Sequence, residues 1–271
     1  MKKLILLGLV AIAAVFMGCE QSSPLLPESD LVVVQAYLYA NEAVTDIQLT
    51  TTYALTSEDT AGIPINDAAV SLEKDGQLYP LVPTPGGGGY YHYPGDDLEV
   101  NIADQFKIIV DYNNETLTGE TIIPAPPLNV NISSPDYVIN TDFFASRFDT
   151  SSVRVTWDQE NEDTYYFVIV ENIETNLVFI NERIGDFLNR LRSFRSRPSQ
   201  GNQYIIRRFD LTYQGKHEIR VYRVNQEYAD LYAFGLQDSR NLNEPRTNIK
   251  NGLGVFAGFS STAVQFNVVT N

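Results

Sequence analysis

Between Val32 and Tyr39 the chain alternates. Val32, Val34, Ala36 and Leu38 fall on one face, and Val33, Gln35, Tyr37 and Tyr39 on the other. A period of two is the mark of a strand whose one face packs on a core. The same alternation returns at Ile47 and Leu49, at Ala68, Val70 and Leu72, and at Phe106, Ile108, Val110 and Tyr112. Turn-forming groups separate these runs: Asn66-Asp67, Asp75-Gly76, Gly86 to Gly89, Gly95-Asp96-Asp97 and Asn113-Asn114. Short strands at this spacing, without long helical windows, predict an antiparallel β-sandwich.

Pro124, Pro126 and Pro127 interrupt the pattern and mark a boundary between a first domain, residues 31–125, and a second, 126–271. The second restarts with Leu128, Val130 and Ile132, then Val153, Val155 and Trp157, a strand over Tyr165–Glu171, and Ile219, Val221 and Tyr222. An early strand carrying a tryptophan, with a tyrosine-rich strand after it, resembles a fibronectin type III module. Two stretches depart from the β period. Ile184, Phe187, Leu188 and Leu191 recur at helical spacing, as do Tyr228, Leu231, Tyr232, Gly235 and Leu236 behind Asn225, a candidate N-cap. The expectation is an all-β chain of two antiparallel β-sandwich domains of the immunoglobulin or fibronectin III kind, the second with a helical insertion.

The N-terminus alters the picture. Met1-Lys2-Lys3 precedes an apolar run from Leu4 to Met17, and Gly18-Cys19 follows. This is the layout of a secretory signal peptide, residues 1–18, whose apolar run is too short to span a bilayer. Cys19 is the single cysteine of 271 residues. It stands where the bacterial lipobox places the lipidated residue, and it has no disulfide partner. The expected modification is lipidation of Cys19, palmitate included, with residues 19–30 as a polar tether.

The net charge is −15 and uneven: from Cys19 to Ala125 there are 17 acidic residues against Lys74 and Lys107 alone. Such a surface excludes nucleic acid as a partner and is repelled by anionic lipid. At 44% apolar residues the chain can build its cores without disulfides.

Five segments in order carry a more specific likeness: Cys19-Glu20, the strand Leu31–Tyr39, INDAAVSLEKDG (Ile65–Gly76), GETIIPAPP (Gly119–Pro127) and NGLGVFAGFSS (Asn251–Ser261). Together they resemble the lipoproteins of domain-of-unknown-function family 4249, found in Bacteroidota. The resemblance implies an outer-membrane lipoprotein linked to TonB-dependent receptors, with no catalytic residues to carry over, and it leaves periplasmic against cell-surface exposure open. Together with the anchor and the absence of catalytic residues, it gives the expected function: a non-enzymatic accessory or binding lipoprotein working with a TonB-dependent β-barrel transporter.

Candidate chemistry is sparse. His92 and His217 are the two histidines, and no G-x-S-x-G supplies a nucleophile elbow. Two scattered histidines do not make a zinc site, and no metal or cofactor is expected. Asp158, Glu160, Glu162 and Asp163 crowd one loop and match no calcium-loop spacing; calcium binding and a solvated turn both remain open. Gly86–Gly89 lacks the lysine of a phosphate loop and leads into Tyr90-Tyr91-His92-Tyr93, whose aromatics suit a carbohydrate- or surface-binding module, the alternative function. Arg183, Arg190, Arg192, Arg195, Arg197, Arg207 and Arg208 form one basic cluster, suited to an acidic partner, to lipid headgroups or to the acidic first domain. Asn251–Phe259 mixes glycines with large apolar groups, as a loop packed over the second sandwich or exposed to a barrel.

Overall fold

The structure, a computed structural model, describes residues 31–52, 62–141, 151–181, 191–233 and 246–271. The signal peptide, Cys19, the tether and most of the helix expected over 184–191 lie outside the described residues. Alternation is realised strand by strand. In β1 (Val32–Tyr39), Val34, Ala36 and Leu38 are buried while Gln35, Tyr37 and Tyr39 face outward. β2 (Asp46–Thr51), β3 (Ala69–Lys74), β4 (Gln77–Pro83), β5 (Tyr90–His92), β6 (Gln105–Tyr112) and β7 (Glu115–Ile122) follow. After the proline-rich crossing come β8 (Leu128–Ile132), β9 (Asp136–Ile139), β10 (Ser152–Asp158), β11 (Tyr165–Asn172), β12 (Ser193–Arg195), β13 (Ser199–Gln200), β14 (Gln203–Arg207) and β15 (Gly215–Val224). Helix α1 (Gln226–Ala233), β16 (Ile249–Lys250) and the 18-residue β17 (Leu253–Thr270) complete the chain.

The chain is all-β apart from short helices, and its two cores are sandwiches. In the first, β1, β2 and β5 face β3, β6, β7 and β16, and β4 turns the corner by pairing with both β3 and β5. In the second, β12, β11, β15 and β17 face the three-stranded sheet β14-β10-β8. Trp157 of β10 packs against Tyr166 of β11 at 5.5 Å between ring centroids, and its indole N–H donates to the Gly201 carbonyl at 3.1 Å.

β17 belongs to both sandwiches. Its first half runs parallel to β1, from Val33↔Leu253 to Tyr39↔Phe259. Its second half runs antiparallel to β15, from Val224↔Phe259 to Gly215↔Val268, and its end runs parallel to β9. Among the described residues, the antiparallel plan expected from the sequence therefore carries two parallel pairings, both with this strand. Side chains alternate along it. Phe256 enters the first core, and Phe266 and Val268 enter the second. Val255, Ala257 and Phe259 point the other way, into a third cluster with Phe167, Val224 and Tyr228. One continuous sheet thus packs both cores against the same face.

This placement corrects the loop reading of Asn251–Phe259. Asn251-Gly252 form a turn, and from Leu253 the segment is the start of β17 in the first sandwich, buried from Val255 to Phe259. Its glycines act by close approach: a Cβ at Gly254, where φ is +109°, would run into the Val34 carbonyl, and one at Gly258 would lie 2.8 Å from the Ile122 carbonyl oxygen. Helix α1 also departs from expectation at its start. The Asn225 carbonyl accepts from the Ala229 N–H, but its side chain does not cap the helix. It bridges to the first sandwich instead, donating to Thr121 Oγ1 at 2.9 Å and to the Ile122 carbonyl at 3.0 Å.

Candidate functional site

The outer face of the shared sheet is the candidate site, and β1 builds its centre. Because Val34, Ala36 and Leu38 must enter the first core, the pleat sends Tyr37 and Tyr39 outward. Register then sets their neighbours. Phe259 lies beside Tyr39 across the parallel pairing, Tyr222 of β15 approaches from the second sandwich, and Phe167 of β11 stacks on Tyr222 at 4.7 Å. Tyr39 stacks on Phe259 at 4.9 Å and meets Tyr222 edge-on at 6.1 Å. Tyr37 stands edge-on to both Phe259 and Tyr228 of α1, each at 5.6 Å. Aromatic pairs in these geometries add about 0.5–1.5 kcal/mol each beyond area burial.

Charge sits among these rings. The Arg195 guanidinium lies 4.1 Å from the centroid of Phe167 and 5.2 Å from that of Tyr228, and it donates to the Tyr228 hydroxyl. The Tyr228 hydroxyl also lies 3.0 Å from that of Tyr232. Asp46 of β2 accepts from the Tyr39 hydroxyl at 3.3 Å. Burial pushes the Asp46 carboxyl above the usual aspartate range, against the lowering effects of the Tyr39 hydrogen bond and Arg195. Burial likewise raises Tyr37 to about 12, with Tyr232 and Asp46 adding to the rise. Tyr39 and Tyr222 are raised for the same first reason. All these phenols therefore stay protonated donors at neutral pH.

The face remains open at both ends, where Tyr90 of β5 and Tyr232 of α1 are 40% and 38% exposed. Half-buried Tyr37, Tyr39 and Tyr222 lie over the buried Phe167, Tyr228 and Phe259, and with Arg195 and a carboxylate among them they have the composition of interface hot spots. On the opposite side, a cleft of about 1150 Å³ opens between the sandwiches, lined by Asp75, Asp104, Glu120, Asp163, Lys107 and Arg223 among others.

The residues singled out from the sequence fall in several places. Tyr90 shares the outer face, whereas Tyr91 is fully buried and donates to the Ile65 carbonyl at 3.1 Å. Gly89 is a turn residue whose N–H donates to Asn66 Oδ1 at 2.9 Å. His92 bonds Thr84 Oγ1 through Nδ1 at 3.0 Å, and His217 is buried in the other sandwich, so the two histidines do not meet. In the acidic loop, Asp158 accepts from Asn129 at 2.6 Å and Glu160 pairs with Arg223. Among the described residues no three His, Cys, Asp or Glu groups converge as a metal site. Arg183 and Arg190 lie outside the described residues. Of the remaining cluster, Arg195 enters the tyrosine face, Arg192 donates to the Asn172 carbonyl at 2.7 Å, and Arg208 donates to that of Asn140 at 3.0 Å. Among the described residues none of these arginines forms an ion pair with the acidic first domain. Tyr37, Tyr39, Asp46 and Tyr222 were not singled out beforehand. Their signal was a strand with tyrosines at the positions that should meet water.

A family model described as "Domain of unknown function (DUF4249)" matches residues 20–265. No curated protein matches the chain. Among solved structures, the FN1-FN3 domains of chicken CNTN1 align over 73% of this chain at 13% identity and a TM-score of 0.27. The alignment spans 61% of that structure, and so loose a superposition carries no argument. The sandwich assignment stands on the sheets themselves.

Proposed function

Because the chain belongs to the DUF4249 family, whose description assigns no activity, we propose from its own geometry that it is a non-enzymatic binding lipoprotein. It is held to the outer membrane by lipid on Cys19 and works with a TonB-dependent β-barrel transporter. The observation that carries the binding role is the tyrosine face with Arg195, which spans both sandwiches on one continuous sheet. The lipobox-like Gly18-Cys19 supports the anchor, and the family resemblance supports the transporter.

The test is recovery of the lipidated protein from native membranes in mild detergent, wild type beside Tyr39→Ala and Arg195→Glu. A β-barrel recovered in comparable amounts with wild type and lost with both variants is the expected result. A barrel retained by both variants would move the contact elsewhere, and no barrel at all would remove the transporter.

The position of Tyr90 favours a second reading, a carbohydrate-binding face. It shares the outer surface with Tyr37 and is 40% exposed. Glycan-array binding that disappears in Tyr90→Ala supports it; a blank array with wild type ends it. Tyr91→Ala is the wrong probe, since it opens the first core.

A further inference from the structure

β17 has two hydrogen-bonding edges, and one of them is interrupted. In a strand the N–H and C=O of one residue point to the same side and those of its neighbours to the other. The Phe259 carbonyl accepts from the Ala40 N–H on the β1 side, and the Asn267 N–H donates to the Pro135 carbonyl on the β9 side. Odd-numbered residues between them therefore face that same edge, while even-numbered ones bond β15 without a register shift. β1 ends opposite Phe259 and β9 begins opposite Asn267. Among the described residues no strand and no backbone group pairs with Ser261, Ala263 or Gln265 on that side. Phe259 and Asn267 are about 26 Å apart along the strand, and β8 passes close to this stretch without pairing with it.

We propose that this gap takes up an extended peptide segment of a protein partner by strand addition, bridging β1 and β9 into one unbroken edge. The backbone of Ser261, Ala263 and Gln265 offers alternating donors and acceptors, the pattern that an extended peptide complements. Ala263 and Gln265 are exposed and their side chains are small or flexible, so the outer face admits a larger side chain from the incoming strand. Beside the gap stand Tyr39 and Tyr222, which makes it continuous with the tyrosine face and supplies an aromatic contact for that side chain. Under the gap the proline-rich crossing is fixed, since Thr262 Oγ1 donates to the Pro127 carbonyl at 2.7 Å. The partner is thus a protein with an exposed extended segment carrying a bulky residue. The inference stands whether or not that partner is a transporter.

The test uses the full chain and displayed random eight-residue peptides. Selected peptides should protect the amides of Ser261, Ala263 and Gln265 from hydrogen exchange. Ala263→Pro removes a donor from the gap without touching a bond to β15, and it should weaken binding about tenfold or more. Peptides N-methylated at alternate residues give a readout that needs no variant: one phase of methylation abolishes binding and the other leaves it intact. The proposal is overturned by peptides that bind without protecting these amides, by indifference to both phases of methylation, or by failure to select any peptide. Amides already protected in the protein alone would show the edge filled by its own chain, and would equally overturn it.

Discussion

Asp46 sits half-buried beside Tyr39, and its raised carboxyl means that the folded chain holds the charged form at a cost. A group whose folded pKa is raised favours the fold below its unfolded value, and that contribution is lost as pH rises through the folded value. Asp46→Asn keeps an acceptor for the Tyr39 hydroxyl and removes the charge. The variant should be more stable than wild type at pH 7 and indistinguishable from it below about pH 3.8, as read by thermal unfolding at the two pH values. His217 works with the opposite sign. Its Nδ1 donates to the Gly215 carbonyl at 2.9 Å, Asn172 Nδ2 lies 3.4 Å from Nε2, and burial lowers its pKa. The unfolded chain therefore takes up a proton that the fold resists. Stability should fall as pH drops below about 6.5, and His217→Gln should lose that part of the fall. Neither residue was legible as such: alternation marks Ile47 and Leu49 beside Asp46, and Ile219 and Val221 beside His217, but only the neighbouring strands decide what surrounds them.

At the scale of elements, β17 gathers the consequences. Its Gly254 and Gly258 let β1 and the end of β7 at Ile122 approach where a side chain would collide. Gly254→Ala adds a Cβ at a left-handed φ against the Val34 carbonyl, and should cost about 2 kcal/mol or more in denaturant unfolding. Gly76→Ala, with a similar φ but open space around it, should cost less, which separates collision from backbone strain. The glycine-and-apolar composition of Asn251–Phe259 signalled close packing. It did not signal a strand, because Asn251-Gly252 and Gly254 read as turn formers. Asn251-Gly252 do form the turn into β17; from Leu253 on, β1 supplies the pairing that overrides Gly254, from 220 residues upstream.

For the whole molecule, the shared sheet ties the two sandwiches into one folding unit. Residues 31–125 alone lack β16 and the first half of β17, and so expose Val34, Ala36 and Leu38 where Ile249 and Phe256 should pack. That fragment should fail to give a dispersed NMR spectrum, and appending Ile249–Phe259 through a flexible linker should restore it. The intact chain should unfold in a single transition. Two separated transitions would show that β17 couples the cores less than its pairing implies.

Strand positions, inward and outward faces, the all-β class and the break at Pro124–Pro127 follow from the sequence alone, because a period of two and turn chemistry are local properties that each segment carries by itself. The lipobox-like cysteine is a reading of the sequence alone, and Cys19 lies outside the described residues. The tyrosine face, the strand common to both sandwiches and the interrupted edge beside Ser261 were decided only by tertiary structure. Each depends on register between segments as far apart as Tyr39 and Phe259, and non-local pairing leaves no periodic trace in either partner.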